Sequence, residues 1–461
     1  MNKLLLSFFC VLLFSFGYSQ HYFEKNSVEE QMEDFKIFKT TILECHSGIY
    51  DYNDSASLAY NFYKLENALS FRSLSKIEQL ALYSKFVSTI KCIHTIAYHK
   101  DFFINNLKAK YKLPFDVYFL NNSLRSKKDY INGIDTISKY DRITAINKEP
   151  VSEIKDSLYQ FISSDGNNMT HKDYYLKNTF LFYYFLYKPQ ELDFELEYIH
   201  NGDTMTSVFK AVRKERKKQK GKNPYERIKF KISKKYNYTH LILSDPLRDT
   251  REYNKAIKKI MRRTISDSVS NLIIDLRNLP GGFSQETLMR YFIKEKMIYE
   301  SQSYTDINSA THKKHFINRL NGEFWASKFL SLVAKESQNN HQELTPQKTK
   351  YEGQVYVLIN GGTVSAASNL ASFLKEWANA IVVGEESGGG YKSFNTAGGV
   401  LQLPNSKIRV DVRTLKGINK VRNEYEADGV TPHYVIKQSD YFDSKNDNQL
   451  RFVIDTLIHG N

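Results

Sequence analysis

An α/β fold with a largely parallel sheet is the architecture predicted for the C-terminal half of this chain of 461 residues. Short apolar runs (THLILS from Thr239, NLIIDLR from Asn271, Val355 to Ile359, Ala380 to Val383) alternate with segments whose apolar residues recur at helical spacing, the pattern of strand–helix–strand units. Three of the runs end in glycine turns: Gly281-Gly282, Gly361-Gly362 and Gly388 to Gly390. The C-terminal ends of parallel strands lie along one sheet edge, where ligand crevices form, so the three turns are expected to face one site.

At the N-terminus, Lys3 precedes an apolar run, Leu4 to Phe16, with small residues at Gly17 and Ser19. This reads as a secretion signal over residues 1–19, cut after Ser19, and so as an exported protein: periplasmic, outer-surface or secreted. Cys10 lies inside that run, which argues against a lipid anchor, and no later stretch reaches the length that crosses a bilayer. Residues 20–106 form a helical cap: EEQMEDFKIFKTTILEC and SKIEQLALYSKFVSTI carry apolar residues at helical spacing. Residues 107–212 change period to short β-like bursts (LPFDVYFL, DRITAINK, DFELEYIH) around one helical segment, VSEIKDSLYQFI. The aromatic run FLFYYFLY from Phe180 to Tyr187 is a core or a binding surface. A basic linker, residues 213–225, leads to the α/β core, residues 226–461, with helices over Arg251 to Ile265, about Ser284 to Lys294, and Ala366 to Trp377.

Composition narrows the function classes. Hydrophobic residues make up 41% and aromatics 14%, a globular composition. The formal charge of +14 is spread among acids, and its one dense run, RKERKKQKGKNP, lacks interleaved aromatics. Nucleic-acid binding is therefore not the reading. Cys45 and Cys92, the two cysteines after the signal, make no disulfide framework and have no metal-ligand spacing. GxGxxG and GxxxxGKS loops are absent, and no cofactor or metal is implied.

The chemistry centres on YEGQVYVLINGGTVSAASNLASFLKEW. A strand, a glycine turn and a helix follow one another, with Ser365 at the helix mouth. A serine there is commonly only a helix cap. On a tight strand-to-helix turn it is also where a nucleophile meets the N–H groups of the helix start. His46 and His94 each follow a cap helix, close to a cysteine, and are candidate bases.

Four motifs in fixed order then carry a resemblance: DLRNLPGG, GGTVSAAS, VVGEESGGGY and YEADGVTP. Their order and separations resemble the tail-specific (C-terminal processing) serine peptidases, more closely the tricorn core protease-like branch. The resemblance implies a crotonase/ClpP-like α/β catalytic core with a helical N-terminal cap and a β-rich PDZ-like middle module. There DRITAINKEPVSEI is similar to a PDZ-like segment, with Lys148 where glycine is usual. The resemblance also implies site residues. Ser365 matches the nucleophile. His94, in CIHT, matches the general base, and Glu426, three residues before Gly-Val-Thr-Pro, the supporting acid. Ala366 and Gly281 or Gly282 match the oxyanion-hole donors, Gly281 preferred. The family's other branch uses a lysine base, for which Lys392 is the alternative. Ile93, Leu279 and His433 depart from the family pattern.

The expected function is an exported serine endopeptidase acting on protein or peptide substrates through an acyl-enzyme. The alternative is a catalytically impaired or non-enzymatic binder of peptides or apolar ligands on the same fold. A weaker third reading is a surface adhesion module that uses the basic charge.

Overall fold

Three sheets and the helices between them organise the chain. The structure, a computed structural model, describes residues 23–100, 113, 115–120, 122–132, 135–189, 193–210, 228–243, 250–282, 285–317, 340–422, 428–438 and 447–460. The expected secretion signal and the basic run from Arg213 lie outside the described residues. No described helix is long and apolar enough to cross a membrane.

The N-terminal segment is helical, as its periodicity requires. Helices α1 (Val28–Cys45), α2 (Ser55–Ser70) and α3 (Lys76–Thr89) pack around Phe38, Phe62, Tyr83 and Phe86. Two of them start on S-x-x-E capping boxes, Ser27 with Glu30 and Ser75 with Glu78, in which side chain and backbone satisfy each other's orphan donors. Cys45 and Cys92 are both free and buried. Burial pushes each thiol up to about 12, so both are inert fillers of the core.

A short strand, β1 (Ala97–His99), follows the cap. The middle segment is an antiparallel sheet in the order β6–β5–β4–β3–β2, made of β2 (Val117–Leu120), β3 (Ser123–Ser126), β4 (Arg142–Ile146), β5 (Asp193–His200) and β6 (Asp203–Lys210). It carries helices α4 (Val151–Tyr159) and α5 (Met169–Tyr187). The aromatic run lies on α5, with Phe180, Tyr183, Tyr184 and Phe185 buried, so it is core. After β4 the chain reverses through Asn147 (φ 50°) and Lys148 (φ 66°). Both angles lie in the left-handed region a two-residue hairpin turn demands, which explains why glycine suits position 148.

The C-terminal half contains the expected parallel sheet. Its strands are β7 (Ile228–Ser233), β8 (Tyr238–Leu243), β9 (Asn271–Asp275), β12 (Gln354–Ile359), β13 (Ile381–Gly384) and β16 (Tyr434–Val435). They line up in the order β7–β8–β9–β12–β13–β16, all parallel from β8 onward. Alternation along β9 and β12 sends Leu272, Ile274, Val355, Val357 and Ile359 to one face. There they meet α6 (Thr250–Ser266) and α7 (Ala366–Trp377). Ile273, Tyr356 and Leu358 face the opposite way, onto Val453 of the C-terminal helical segment. The helix expected from Ser284 to Lys294 is a single turn, Glu286–Met289, because the chain soon turns into a strand, β10 (Met297–Tyr304).

That strand belongs to a third, antiparallel sheet that the periodicity did not show. It pairs β10 with β11 (Asn340–Leu344) and β15 (Ile408–Asn419), and β15 with β14 (Ser393–Gln402). Strand β1 of the cap joins its edge, Ala97 to His99 pairing with Val410 to Ile408. The cap is thus stitched to the C-terminal half by a shared sheet. Asp34 of α1 adds to this by accepting from Asn405 N at 3.0 Å and Ser406 N at 2.8 Å.

Behind the parallel sheet, Arg277 is gripped by Asp275 (2.6 and 2.9 Å), Asp447 (2.6 and 2.8 Å) and Gln449 (2.9 Å). Burial pushes the Asp275 carboxyl up, and the hydrogen bonds from Arg277 together with the nearby His240 ring, 3.6 Å away, outweigh it, leaving it at about 2. Replacing Arg277 with alanine strands that buried carboxylate, a change that typically costs about 3–5 kcal/mol. The expected result is a lower urea midpoint at unchanged slope; an unmoved midpoint would show the pairing to be unimportant.

Candidate active site

Ser365 stands between β12 and α7 with φ 59° and ψ −129°. A non-glycine residue rarely adopts this region, and holding it there costs on the order of 1–3 kcal/mol. The surrounding turn supplies the restraint. Asn360 Oδ1 accepts from Gly362 N and Asn278 N, each at 3.0 Å, and its amide donates to Asn278 Oδ1 at 3.1 Å. Thr363 Oγ1 donates to Leu276 O at 2.9 Å, and Val364 N to Leu279 O at 3.0 Å. Leu279, one of the departures from the family pattern, serves here through its carbonyl and a buried side chain.

Although Ser365 occupies the N-cap position of α7, its side chain makes no capping hydrogen bond. The hydroxyl is therefore not spent on the helix, and the simple cap reading fails. Gly281 (φ +82°) packs directly on this turn. A Cβ at 281 would stand 2.7 Å from Ser365 Cβ, 2.7 Å from Val364 O and 2.8 Å from Ala366 N. Gly282 (φ +76°) is exposed beside it. Ala366 opens α7, where backbone N–H groups have no intrahelical acceptor. The third glycine turn closes in as well, since a Cβ on Gly389 would lie 2.8 Å from Ser365 N. All three turns therefore meet at Ser365.

His94 comes from the turn between α3 and β1, closed by Thr95 N donating to Cys92 O at 3.0 Å. Arg413 Nε of β15 donates to the His94 carbonyl at 2.7 Å. Burial first, then the Arg413 guanidinium and the His171 ring, hold the imidazole down at about 3. The ring is neutral, the form that accepts a proton. Its Nδ1 is buried without a hydrogen-bond partner among the described residues, and it shares no hydrogen bond with Ser365. His46, the other cap histidine, bonds Thr95 Oγ1 through Nε2 at 2.8 Å and supports the turn from below.

The segment from Ser163 to His171 was not visible as part of the site in the sequence. It leads into α5 and reaches both halves of the site. Asp165 accepts from Ile93 N at 2.8 Å and Gly390 N at 3.1 Å. Asn168 Nδ2 donates to Ser387 O at 2.7 Å, and Thr170 Oγ1 to Glu386 O at 2.9 Å. His171 Nδ1 donates to Gly361 O at 3.0 Å, and burial holds this ring at about 4. The only local signal was a turn-rich run ahead of a helix, with Asn168 as its N-cap.

Glu426 lies outside the described residues. The chain from Asp428 onward is pinned beside the glycine turn: Tyr391 N donates to Asp428 O at 3.2 Å, and Gly429 N to Glu386 Oε1 at 2.8 Å. Lys392 sits half-buried just before β14, its carbonyl accepting from Asn419 N at 2.8 Å. His433 pairs with β13, its Nδ1 accepting from Val382 N at 2.9 Å, a structural task.

Comparison with known proteins bears on this geometry. Residues 237–436 match the model of peptidase family S41. A search of the curated proteins found no match. Among solved structures, mature CPAF superposes with a TM-score of 0.61 at 14% identity, over 94% of this chain and 98% of that one. Mature CPAF complexed with lactacystin gives 0.60 at 15% identity, over 94% and 99%. The photosystem II D1 C-terminal processing protease gives 0.41 at 12% identity, over 88% and 93%. The two CPAF structures show that the fold is shared across nearly the whole length of both chains.

Proposed function

Because the chain belongs over residues 237–436 to peptidase family S41, the tail-specific proteases, and is a serine-type peptidase, we propose that Ser365 is its nucleophile and His94 its general base. Ser365 Oγ attacks the scissile carbonyl while neutral His94 takes its proton. Ala366 N–H and Gly281 N–H face the oxygen on which charge develops. The imidazolium then returns the proton to the leaving amine, and water resolves the acyl-enzyme by the same route. The Nδ1 of His94, buried without a hydrogen-bond partner among the described residues, is the atom that an acid must serve, and Glu426 is assigned that part. Catalytic hydrogen bonds often tighten only when substrate binds, so a small movement of the His94 turn toward Ser365 accompanies the first step. The substrate is protein, and the apolar run Leu4 to Phe16 assigns the enzyme to an exported pool. The β-rich segment from Val117 to Lys210 is a PDZ-like module that receives substrate chain.

The observation that carries this reading is the strained Ser365, uncapped and packed against Gly281. Ser365→Ala is expected to abolish cleavage of casein, an unstructured protein, and labelling by a fluorophosphonate probe, at an unchanged melting temperature. Cleavage that survives the substitution would overturn the assignment. A wild-type chain that neither cleaves nor labels, beside a peptidase that does both, would favour the non-enzymatic binder.

A further inference from the structure

We propose that Asp165 is a positioning residue that couples the base-bearing turn to the nucleophile's glycine turn, so that His94 and Ser365 move into register together. The inference rests on the roles just assigned to those two residues. One oxygen of Asp165 holds Ile93 N, the amide next to His94, and the other holds Gly390 N, the amide next to Gly389. Gly389 in turn packs against Ser365 N. A carboxylate accepts at both ends, whereas a carboxamide accepts at one and offers donors at the other. The ionised acid offers a full acceptor to each amide, whereas the neutral acid carries its proton on one of the two oxygens.

The rest of the Ser163–His171 segment makes the coupling rigid. Ser163 Oγ donates to Thr95 O at 2.7 Å and Gly166 N to Lys91 O at 3.1 Å, clamping the His94 turn on either side. The titratable groups facing Asp165 are Asp51 and Tyr52 from the α1–α2 connection, Cys92 from the base turn, and Asp428 from the loop after Glu426. Burial, with Asp51 and Asp428 adding to it against the two N–H bonds, raises the carboxyl to about 7.

The sign of this shift separates positioning from stability. A folded-state value above the unfolded one means that the stability this group contributes is present below about pH 4 and lost as pH rises through about 7. The ionised form that grips both amides is thus costly to the fold. A group kept only for stability would be better as a neutral one.

The test is Asp165→Asn, near-isosteric and uncharged, compared with the wild-type chain on casein and on a fluorophosphonate probe. At pH 8 the variant is expected to melt no lower than wild type. Its kcat should fall about ten- to a hundred-fold, as for a misplaced catalytic group, with KM within about two-fold. The wild-type rise in labelling rate through about pH 7 should be absent from the variant. A variant that keeps wild-type kcat and the same rise would overturn the proposal, as would kcat and melting temperature falling together.

Amide exchange gives a readout that needs no activity. Asp165→Asn should speed exchange at both Ile93 and Gly390, and unchanged exchange at either would overturn the coupling. If the wild-type chain neither cleaves nor labels, the peptidase reading fails, and this exchange still decides whether the two turns are coupled. Should Asp165→Asn not fold, Ser163→Ala loosens the His94 turn alone. Faster exchange must then appear at Gly390 as well, and its absence there overturns the coupling.

Discussion

Replacing His94 with glutamine is expected to slow acylation of Ser365 by about 10²–10⁴-fold, the usual contribution of a positioned general base. Glutamine keeps much of the volume but cannot carry the proton. The backbone bond from Arg413 Nε to the His94 carbonyl survives the change, so the turn remains docked. Burst labelling by a fluorophosphonate, followed with time, is the measurement; a wild-type burst would remove His94 from the mechanism and direct attention to Lys392. The same variant has a signature in stability. The His94 ring is held at about 3 when folded, against about 6.5 for a free histidine. Its contribution is therefore whole above about pH 6.5 and lost as the pH falls through that range toward 3. Between pH 7 and pH 5 the wild-type chain should lose up to about 2 kcal/mol through this residue, and the glutamine variant should not. Urea unfolding at the two pH values reads the difference directly.

The parallel core was legible because physics leaves such strands few choices. Buried on both faces, β9 and β12 read as near-continuous apolar runs, and α7 declares itself by apolar residues on one face. The antiparallel third sheet gave no such signal. Strand β14 is SFNTAGGVLQ, with two glycines and four polar residues, and β15 intersperses Arg409, Arg413 and Lys416 among its apolar positions. These strands are specified by pairing with each other and with β1, information that local pattern does not contain. The site divides in the same way. Ser365, Gly281 and Ala366 sit on one strand-to-helix unit and its neighbouring turn, so their motifs could be read. His94 is set apart from His46 as the base only through the CIHT motif, because the sheet edge that carries it to Arg413 joins residues over three hundred positions apart. Asp165 and His171 were missed for a further reason. They act through backbone atoms of Ile93, Gly390 and Gly361, and a side chain that serves another segment's backbone leaves no mark on the sequence of that segment. Ile93 illustrates the consequence. Its side chain departs from the family pattern, yet it is the backbone amide that Asp165 holds.

Gly281→Ala should be nearly as damaging to catalysis as loss of the base, by a different route. The added methyl would enter at 2.7 Å from Ser365 Cβ, with Val364 O and Ala366 N equally close. Real Cβ atoms do not approach so near, so either the serine turn or the 278–282 loop must withdraw. Each withdrawal separates the two N–H groups assigned to the oxyanion, and losing one such donor typically costs about 10²–10³ in kcat. The φ of +82° adds strain of on the order of 1–3 kcal/mol for any residue with a Cβ. Gly282→Ala, at φ +76° on the exposed neighbour, carries that strain term as well. The comparison therefore isolates the contact. If the two variants lose stability alike but Gly281→Ala loses far more kcat at similar KM, the loop is an oxyanion donor. Equal activity in both would leave Ser365 without the second donor assigned to it. The same pair also tests why the serine tolerates its own left-handed backbone. If Gly281 is the wedge that holds Ser365 at φ 59°, relaxing the loop should lower fluorophosphonate labelling as much as proteolysis, because the probe needs an aimed hydroxyl and no leaving amine.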